Sequence, residues 1–305
     1  MDRFKELETF VAVATLGSLS AAARAERLAP AMIGRRVDSL EARLGVKLMV
    51  RTTRRITLTL EGNAFLEEAQ RILRDLEDAE SMVSQGSATP TGQLRITAPA
   101  GFGRRHVAPL LPAFLDRHER LSASLELTDS ITDLVAGRYD CAVRIGDMPD
   151  SSLVSVRLAD NRRLVVASPD YLAQHGTPRS PADLLAHNCL TLGPSGSQNR
   201  GWLFRSGDET VAQRVGGNLA CTDGAALLDW VLSGRGLAWR SLWEVNAALR
   251  SGRLVSVLDD YAAPPNGIYA VFAQRKHLPL RVRLFVDFLR QQYAQPDYWA
   301  RQDLF

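Results

Sequence analysis

A chain of 305 residues, 46% of them hydrophobic and with a net charge of +3, is long enough for about two domains that each bury a core. Its ordinary globular composition excludes a disordered or collagen-like chain. Its three widely spaced cysteines (Cys141, Cys189, Cys221), without a CxxC, argue against a disulfide framework or a structural zinc site and for a reducing compartment. No apolar run approaches the roughly 18 residues of a membrane span and the start is not a signal peptide, so a cytoplasmic protein with no membrane partner is expected.

Charge is segregated along the chain. Residues 1–60 carry eleven Lys/Arg against six Asp/Glu, and residues 61–87 carry two against seven. A basic head beside an acidic stalk is the layout of a chain whose first part meets phosphate and whose second does not.

In the head, a first helix over residues 3–15 is predicted to place Phe4, Leu7, Val11 and Ala14 on one face. A short alanine-rich second helix starts at Ser18 or Ser20, either of which can cap it, and breaks at Leu28-Ala29-Pro30. The third runs from Pro30 to Leu44-Gly45 with Ile33, Val37, Leu40 and Leu44 as its buried stripe. Ala31, Arg35 and Asp38 then point outward, flanked by Met32 and Arg36. Two short helices at a sharp angle place the second in a DNA major groove, so double-stranded DNA is the expected partner. Arg35 is the candidate base reader, because a guanidinium pairs bidentately with guanine O6 and N7. Ser20, Pro30, Ala31, Met32 and Gly34 complete the expected DNA-facing surface. Arg36, Arg51, Arg54 and Arg55, mostly on the hairpin that leads into Ile56-Thr57-Leu58-Thr59, are expected to hold phosphates, and Thr53 joins them as a DNA-binding candidate.

Over residues 62–87 Phe65, Ala69, Ile72, Leu76, Ala79 and Val83 recur in alternating steps of four and three, widened by Leu66, Leu73 and Met82. That is a heptad seam and suggests a dimerising helix, although a helix packed on its own domain shows similar spacing. Gly86 to Gly92 reads as a hinge.

Strands then alternate with helices, an α/β pattern. Strands are predicted at Leu94–Ala98, Leu125–Thr128, Tyr139–Ile145, Leu164–Ala167, Cys189–Leu192, Leu237–Trp239 and Ile268–Phe272. Helices are predicted through Val107, Leu110, Leu111, Phe114 and Leu115, near Leu134, from Gly224 to Ser233, and from Val282 to Tyr293.

The head resembles the winged helix-turn-helix of the LysR-type transcriptional regulators. The residues that carry the resemblance are Ser18 to Ala23, Ala29-Pro30, Arg35, Leu40-Glu41-Ala42-Arg43-Leu44-Gly45, Leu48-Met49-Val50-Arg51 and Leu58-Thr59-Leu60-Glu61-Gly62. The resemblance continues through Leu94-Arg95-Ile96, Tyr139-Asp140, Arg144-Ile145-Gly146, Ala167-Ser168-Pro169, Gly234-Arg235-Gly236-Leu237 and Gly252-Arg253-Leu254. It implies an α/β protein with an all-α-type winged helix-turn-helix head, a long linker helix and a two-lobed α/β regulatory domain similar to periplasmic binding proteins. The expected divisions are head 1–61, dimerising linker 62–87, hinge 88–92 and regulatory domain 93–305, with lobe I at 93–161 plus 269–305 and lobe II at 162–268. Three positions depart from the usual pattern. Ala29 replaces a capping serine, which costs the third helix about 1 kcal/mol. Ala31 and Gly34 stand where relatives often carry hydroxyls that reach DNA.

Ligands of open α/β sheets sit beyond the C-terminal ends of strands. That rule, with the resemblance, gives Thr97, Ala98, Pro99, Gly101, Thr128, Ser130, Arg144, Gly146, Thr222, Asp223, Trp239 and Arg240 as candidate effector contacts. If Arg240 faces the cleft, it favours an anionic effector. Trp239 or Trp243 offers a ring for stacking, and a core position is the commoner use of tryptophan. The resemblance further implies a homodimer or homotetramer that contacts RNA polymerase, a small-molecule effector and no cofactor. An enzyme is not expected. His106, His118, His175, His187 and His277 fall in no HExxH or metal-ligand spacing, and no GxSxG, P-loop or GxGxxG is present. A cysteine-based redox sensor is the alternative within the family. An enzyme or solute-binding module is the alternative outside it.

Overall fold

The computed structural model of the chain describes residues 2–51, 56–83, 89–129, 134, 137, 139–146, 153–193, 201–273 and 278–299, with backbone alone at 77–78 and 81–83. The chain forms two compact units, Met1–Ala88 and Thr89–Phe305.

The first unit opens with α1 (Arg3–Leu16), α2 (Leu19–Glu26) and α3 (Pro30–Leu44). Ser18, rather than Ser20, caps α2 by accepting from the Ala21 N–H. Ala29 precedes α3 without a side-chain hydrogen bond, and Pro30 fills its first turn. Ile33, Val37 and Leu40 are fully buried and Leu44 packs at their margin, as the spacing predicts.

The first helix is rotated from the predicted face. Leu7, Phe10 and Val13 are buried, whereas Phe4 is 43% exposed and Val11 and Ala14 are half-buried. Two polar residues share the buried face and hide it from a hydrophobic count. Glu6 accepts from Ser39 Oγ at 2.7 Å and Arg43 Nη2 at 3.0 Å. Thr9 donates to Glu26 at 2.9 Å and accepts from Arg36 at 3.0 Å. Each buried polar group is satisfied, so the face stays inside.

The wing is an antiparallel pair, β1 (Met49–Arg51) and β2 (Ile56–Leu58), with Arg51 opposite Ile56. Glu41 ties it to α3: one carboxylate oxygen accepts from the N–H groups of Leu48 (2.9 Å) and Met49 (3.2 Å), and the other from Lys47 Nζ (2.6 Å). The long helix α4 (Leu60–Val83) follows. The Thr59 hydroxyl accepts from the Gly62 N–H at 2.9 Å and donates to the Lys47 carbonyl at 2.7 Å. A Cβ at Gly62 would overlap the Leu48 carbonyl oxygen, which accounts for glycine at the end of the Leu58-to-Gly62 motif.

The heptad seam on α4 divides in two. Ala69 is fully buried and Phe65, Leu66 and Leu73 pack in the head's own core, with the Phe65 ring 5.5 Å from Phe10. This corrects Ala69 as a dimer contact, because a residue fully buried within one chain has no surface left for a second, while Phe65 stays half-buried. Ile72 and Ala79 remain exposed and Leu76 half-buried, while the side chain of Val83 lies outside the description.

The second unit holds two five-stranded sheets and a two-stranded hairpin. Lobe I begins with β3 (Gly92–Ala98) and α5 (Ala100–Phe102), then a π-helical turn (Gly103–Val107), a 3-10 turn (Ala108–Leu110) and α6 (Leu111–Asp116). The single predicted helix over this stretch is therefore several short pieces, interrupted where Pro109 and Pro112 lack an N–H. It continues with β4 (Leu121–Leu127), β5 (Cys141–Ile145) and β6 (Leu153–Asn161), while the helix predicted near Leu134 falls largely outside the described residues. Lobe II contains β7 (Arg163–Ala167), α7 (Pro169–His175), β8 (Cys189–Leu192), the hairpin β9 (Trp202–Ser206) and β10 (Glu209–Gln213), and β11 (Ala220–Cys221). It closes with α8 (Gly224–Leu232), β12 (Leu237–Ser241), α9 (Leu242–Arg250) and β13 (Val255–Val257). The chain then returns to lobe I through β14 (Asn266–Ala273) and α10 (Leu280–Tyr293). The sheet orders are β4-β3-β5-β14-β6 and β11-β8-β12-β7-β13.

The second crossover lies earlier than predicted. Asn266, Gly267 and Ile268 pair with Asn161, Asp160 and Ala159 of β6, so they belong to lobe I and not to lobe II. The side chains of Asn161 and Asn266 join the two crossovers at 2.8 Å. Asp140 explains part of the Tyr139-Asp140 motif. Its carboxylate accepts from the Arg95 N–H in the middle of β3 (2.9 Å) and from Arg281 on α10 (3.0 Å), whose guanidinium is buried with it.

Candidate DNA-binding head and effector cleft

On the outer side of α3, Pro30, Ala31, Met32 and Arg35 are exposed, as is Ser20 on α2, and Gly34 is half-buried. Arg35 lies along its own helix, with Nε 3.4 Å from the Ala31 carbonyl and Nη2 3.3 Å from the Met32 sulfur. Its guanidinium thus sits over the first turns of α3, the end that a recognition helix presents to base edges.

Arg36 corrects a predicted phosphate contact. It turns inward, 15% exposed, and its Nη1 lies 2.8 Å from Glu26 and 3.0 Å from Thr9, so it joins all three helices. Arg51 sits beside Gly34 and pairs with Asp38 at 2.9 Å, drawing the wing strand onto the outer face of α3. Thr53, Arg54 and Arg55 lie outside the described residues.

A Cβ added at Gly34 would meet only Arg51 Nη1, at 3.9 Å. Gly34→Ala is therefore expected to stabilise the head by up to about 1 kcal/mol by restoring helix propensity. Urea unfolding of the full chain followed by circular dichroism checks this, and a destabilised variant would show that Arg51 needs the space.

Burial alone would raise the carboxyl pKa of Glu6 and Glu41. Hydrogen bonds from Ser39 and Arg43 to the first, and from Lys47, Leu48 and Met49 to the second, outweigh it and hold both below the ordinary value.

In lobe I, β3 runs parallel to β4 and β5, so the C-terminal ends of the three strands converge. There the Thr128 N–H donates to the Ala98 carbonyl (2.9 Å), and Asp129 accepts from the Ala100 N–H (2.9 Å) at the start of α5. Pro99, Gly101, Thr128 and Arg144 are half-buried at this edge, and Gly146 turns the chain with φ +105°. Thr97 and Ala98 are fully buried, and Thr97 Oγ1 has no hydrogen-bond partner among the described residues. Ser130 lies outside them. In lobe II, β8, β11 and β12 are parallel and lead to the exposed Thr222 and Asp223. Asp223 caps α8 by accepting from the Ala226 N–H.

Two predicted effector contacts are corrected. Trp239 is a core residue of lobe II, 5% exposed, with the Arg163 guanidinium 4.6 Å above its ring. Arg240, on the opposite face of β12, is buried in a bidentate pair with Glu244 (2.6 and 2.8 Å), and its Nη2 also reaches the Gly224 carbonyl at 3.4 Å. A guanidinium neutralised from within gives no reason to expect an anionic ligand. The signal missed in the sequence was Glu244, four residues on, which one helical turn brings back to the strand end.

Between the lobes, Trp243 packs edge-on against Phe102 and His106, each at 5.3 Å between ring centres, and Arg105 donates to the Glu244 carbonyl at 3.2 Å. His106 is 1% exposed, and burial with the neighbouring Arg105 charge pushes its imidazole down to about 3. Cys141 and Cys189 are buried, and burial pushes both thiols up to about 12, far from the low value of a reactive thiolate. The redox alternative is not favoured. No helix among the described residues is long and apolar enough to cross a membrane.

A winged helix-turn-helix with an arginine on the open side of α3, followed in the chain by a two-lobed α/β body, defines a DNA-binding regulator of transcription with a ligand-binding domain. Residues 4–63 match the bacterial regulatory helix-turn-helix protein, lysR family, and residues 87–294 match the LysR substrate binding domain. The chain is 38% identical over 290 residues to the HTH-type transcriptional regulator DmlR of Escherichia coli (strain K12), covering 95% of this chain and 94% of that one. It is 33% identical to the transcriptional activator TtdR of the same strain, over 96% of each chain. Among solved structures, CrgA, a LysR-type transcriptional regulator from Neisseria meningitidis, matches with a TM-score of 0.59 and 33% identity over 95% of this chain and 98% of that chain. The chain belongs to the LysR family of transcriptional regulators.

Proposed function

We propose that this regulator self-associates, as a homodimer or a homotetramer, and holds paired heads on an interrupted palindrome of double-stranded DNA. A small molecule between the lobes then switches its contact with RNA polymerase. The observation that carries the DNA reading is the asymmetry of α3: one side is the fully buried Ile33-Val37-Leu40 stripe and the other presents Ala31, Met32 and Arg35. Arg35 reads a base edge, while Arg51, Thr53, Arg54 and Arg55 hold phosphate. Among the described residues of the seam, Ile72 and Ala79 are exposed with Leu76 beside them, and they are offered to a partner helix.

The effector reading rests on two strand-end clusters, Pro99, Gly101, Thr128, Arg144 and Gly146 in lobe I and Thr222 and Asp223 in lobe II. The buried Thr97 hydroxyl adds a polar group in want of a partner. With Arg240 committed to Glu244, Arg144 at the end of β5 is the arginine that remains among the candidate effector contacts. The effector acts by binding one lobe arrangement more tightly than another.

Arg35→Ala is expected to reduce discrimination between the selected site and random DNA by about 1–3 kcal/mol while leaving non-specific affinity nearly unchanged. Selection of genomic fragments by the purified protein, followed by binding titrations at fixed salt, measures both quantities. An equal loss on all DNA would remove Arg35 from the role of base reader.

A further inference from the structure

Helix α10 ends at Tyr293, and the chain after it turns back on itself. The Tyr298 N–H donates to the Gln295 carbonyl, and Trp299 Nε1 donates to the Tyr293 carbonyl at 3.0 Å. The rings so placed gather around one residue. His106 lies 5.3 Å from Trp299 and 6.0 Å from Tyr298, ring centre to ring centre. The Tyr298 hydroxyl is 3.3 Å from His106 Nδ1, and the Tyr293 hydroxyl donates to the His106 carbonyl at 2.8 Å.

The same π-helical turn that carries His106 makes the interlobe contact. Phe102 and His106 receive the edge of Trp243, and Arg105 reaches the Glu244 carbonyl. Trp243 belongs to α9 of lobe II yet packs against the hydrophobic core of lobe I, as do Tyr298 and Trp299. The turn is thus held from two directions, by the C-terminal segment of its own lobe and by the first turn of α9 from the other. Glu244 extends the contact inward, since its carboxylate holds Arg240 and Arg240 reaches the Gly224 carbonyl at the start of α8.

We infer that residues 294–299 form an aromatic strap that fixes the turn at 103–107 in the position from which Phe102, Arg105 and His106 grip the Trp243–Glu244 edge of lobe II. Tyr298 and Trp299 are positioning residues: they act on lobe II through His106. The strap biases the lobe arrangement that an effector must shift, and this consequence alone rests on the effector reading above. The strap itself is tested without any effector, so its failure is distinguishable from failure of that reading.

The test is hydrogen–deuterium exchange with mass spectrometry on the full chain, comparing the parent protein with Tyr298→Phe and Trp299→Ala. In Tyr298→Phe, which removes the hydroxyl's contacts with His106 Nδ1 (3.3 Å) and the His106 carbonyl (3.4 Å), amides of α9 (Leu242–Arg250) in the other lobe are expected to exchange at least about fivefold faster, the effect of one hydrogen bond of ordinary strength. Trp299→Ala is expected to do more, and the helices of the head are expected to be unchanged. Faster exchange confined to 103–107 and 294–299 would overturn the inference, because the strap would then be local packing of lobe I. A uniform rise across both lobes would overturn it as well, since that is the signature of general destabilisation. Should Trp299→Ala fail to fold, Tyr298→Phe removes a single hydroxyl and still carries the test.

Discussion

Glu244→Ala is expected to lower the stability of the regulatory unit by about 3–5 kcal/mol, the cost of leaving a buried guanidinium without its counter-ion. Arg240 and Glu244 are only 8% and 6% exposed, so water replaces little of what the carboxylate supplied. The double variant Arg240→Met with Glu244→Leu is expected to recover most of that loss, because two apolar side chains need no compensation in the same space. Chemical denaturation of the parent, the single variants Arg240→Met and Glu244→Leu and the double variant forms the cycle. A single variant that lost less than about 0.5 kcal/mol would place the pair in solvent and remove its role behind α8.

Glu41→Ala is expected to destabilise the head by about 2–4 kcal/mol, since it strands two buried backbone N–H groups, those of Leu48 and Met49. DNA binding should fail with it, because the same carboxylate sets where the wing leaves α3. The effect also depends on pH. The Glu41 carboxyl titrates below its ordinary value in the folded head, so its contribution is complete above about pH 4.3, the usual unfolded value. It is lost as pH falls through the lower folded value, and Glu6 acts in the same direction. Acid unfolding of the head in Glu41→Gln is therefore expected to show a shallower pH dependence than in the parent. An unchanged acid profile would mean that the Glu41 carboxylate is not what the Leu48 and Met49 amides bind.

The stripe of α3 was legible because Ile33, Val37 and Leu40 are apolar and lie at helical spacing. The face of α1 was not, because Glu6 and Thr9 are buried through partners 17 to 37 residues away in the chain. The linker shows the same limit in another form. Its heptad spacing is real, yet Ala69 is spent on the head's own core with Phe65 packed beside it, and among the described residues of the seam Ile72 and Ala79 stay exposed. Arg36 and Arg240 read as functional cations because a sequence displays charge without displaying the counter-ion.

Periodicity and local motifs therefore determined the winged head, the long helix, the α/β alternation and the family, since each depends on neighbours within a few turns or on helix-start chemistry at Ser18 and Pro30. Tertiary structure alone decided which charges stay available. Ion pairing joins α1 to α3, β1 to α3 and α10 to the edge of β5, and the return of β14 to the first sheet moves the lobe boundary to Asn266. Those pairings link residues far apart in the chain, and a buried charge is tolerated only where such a partner arrives.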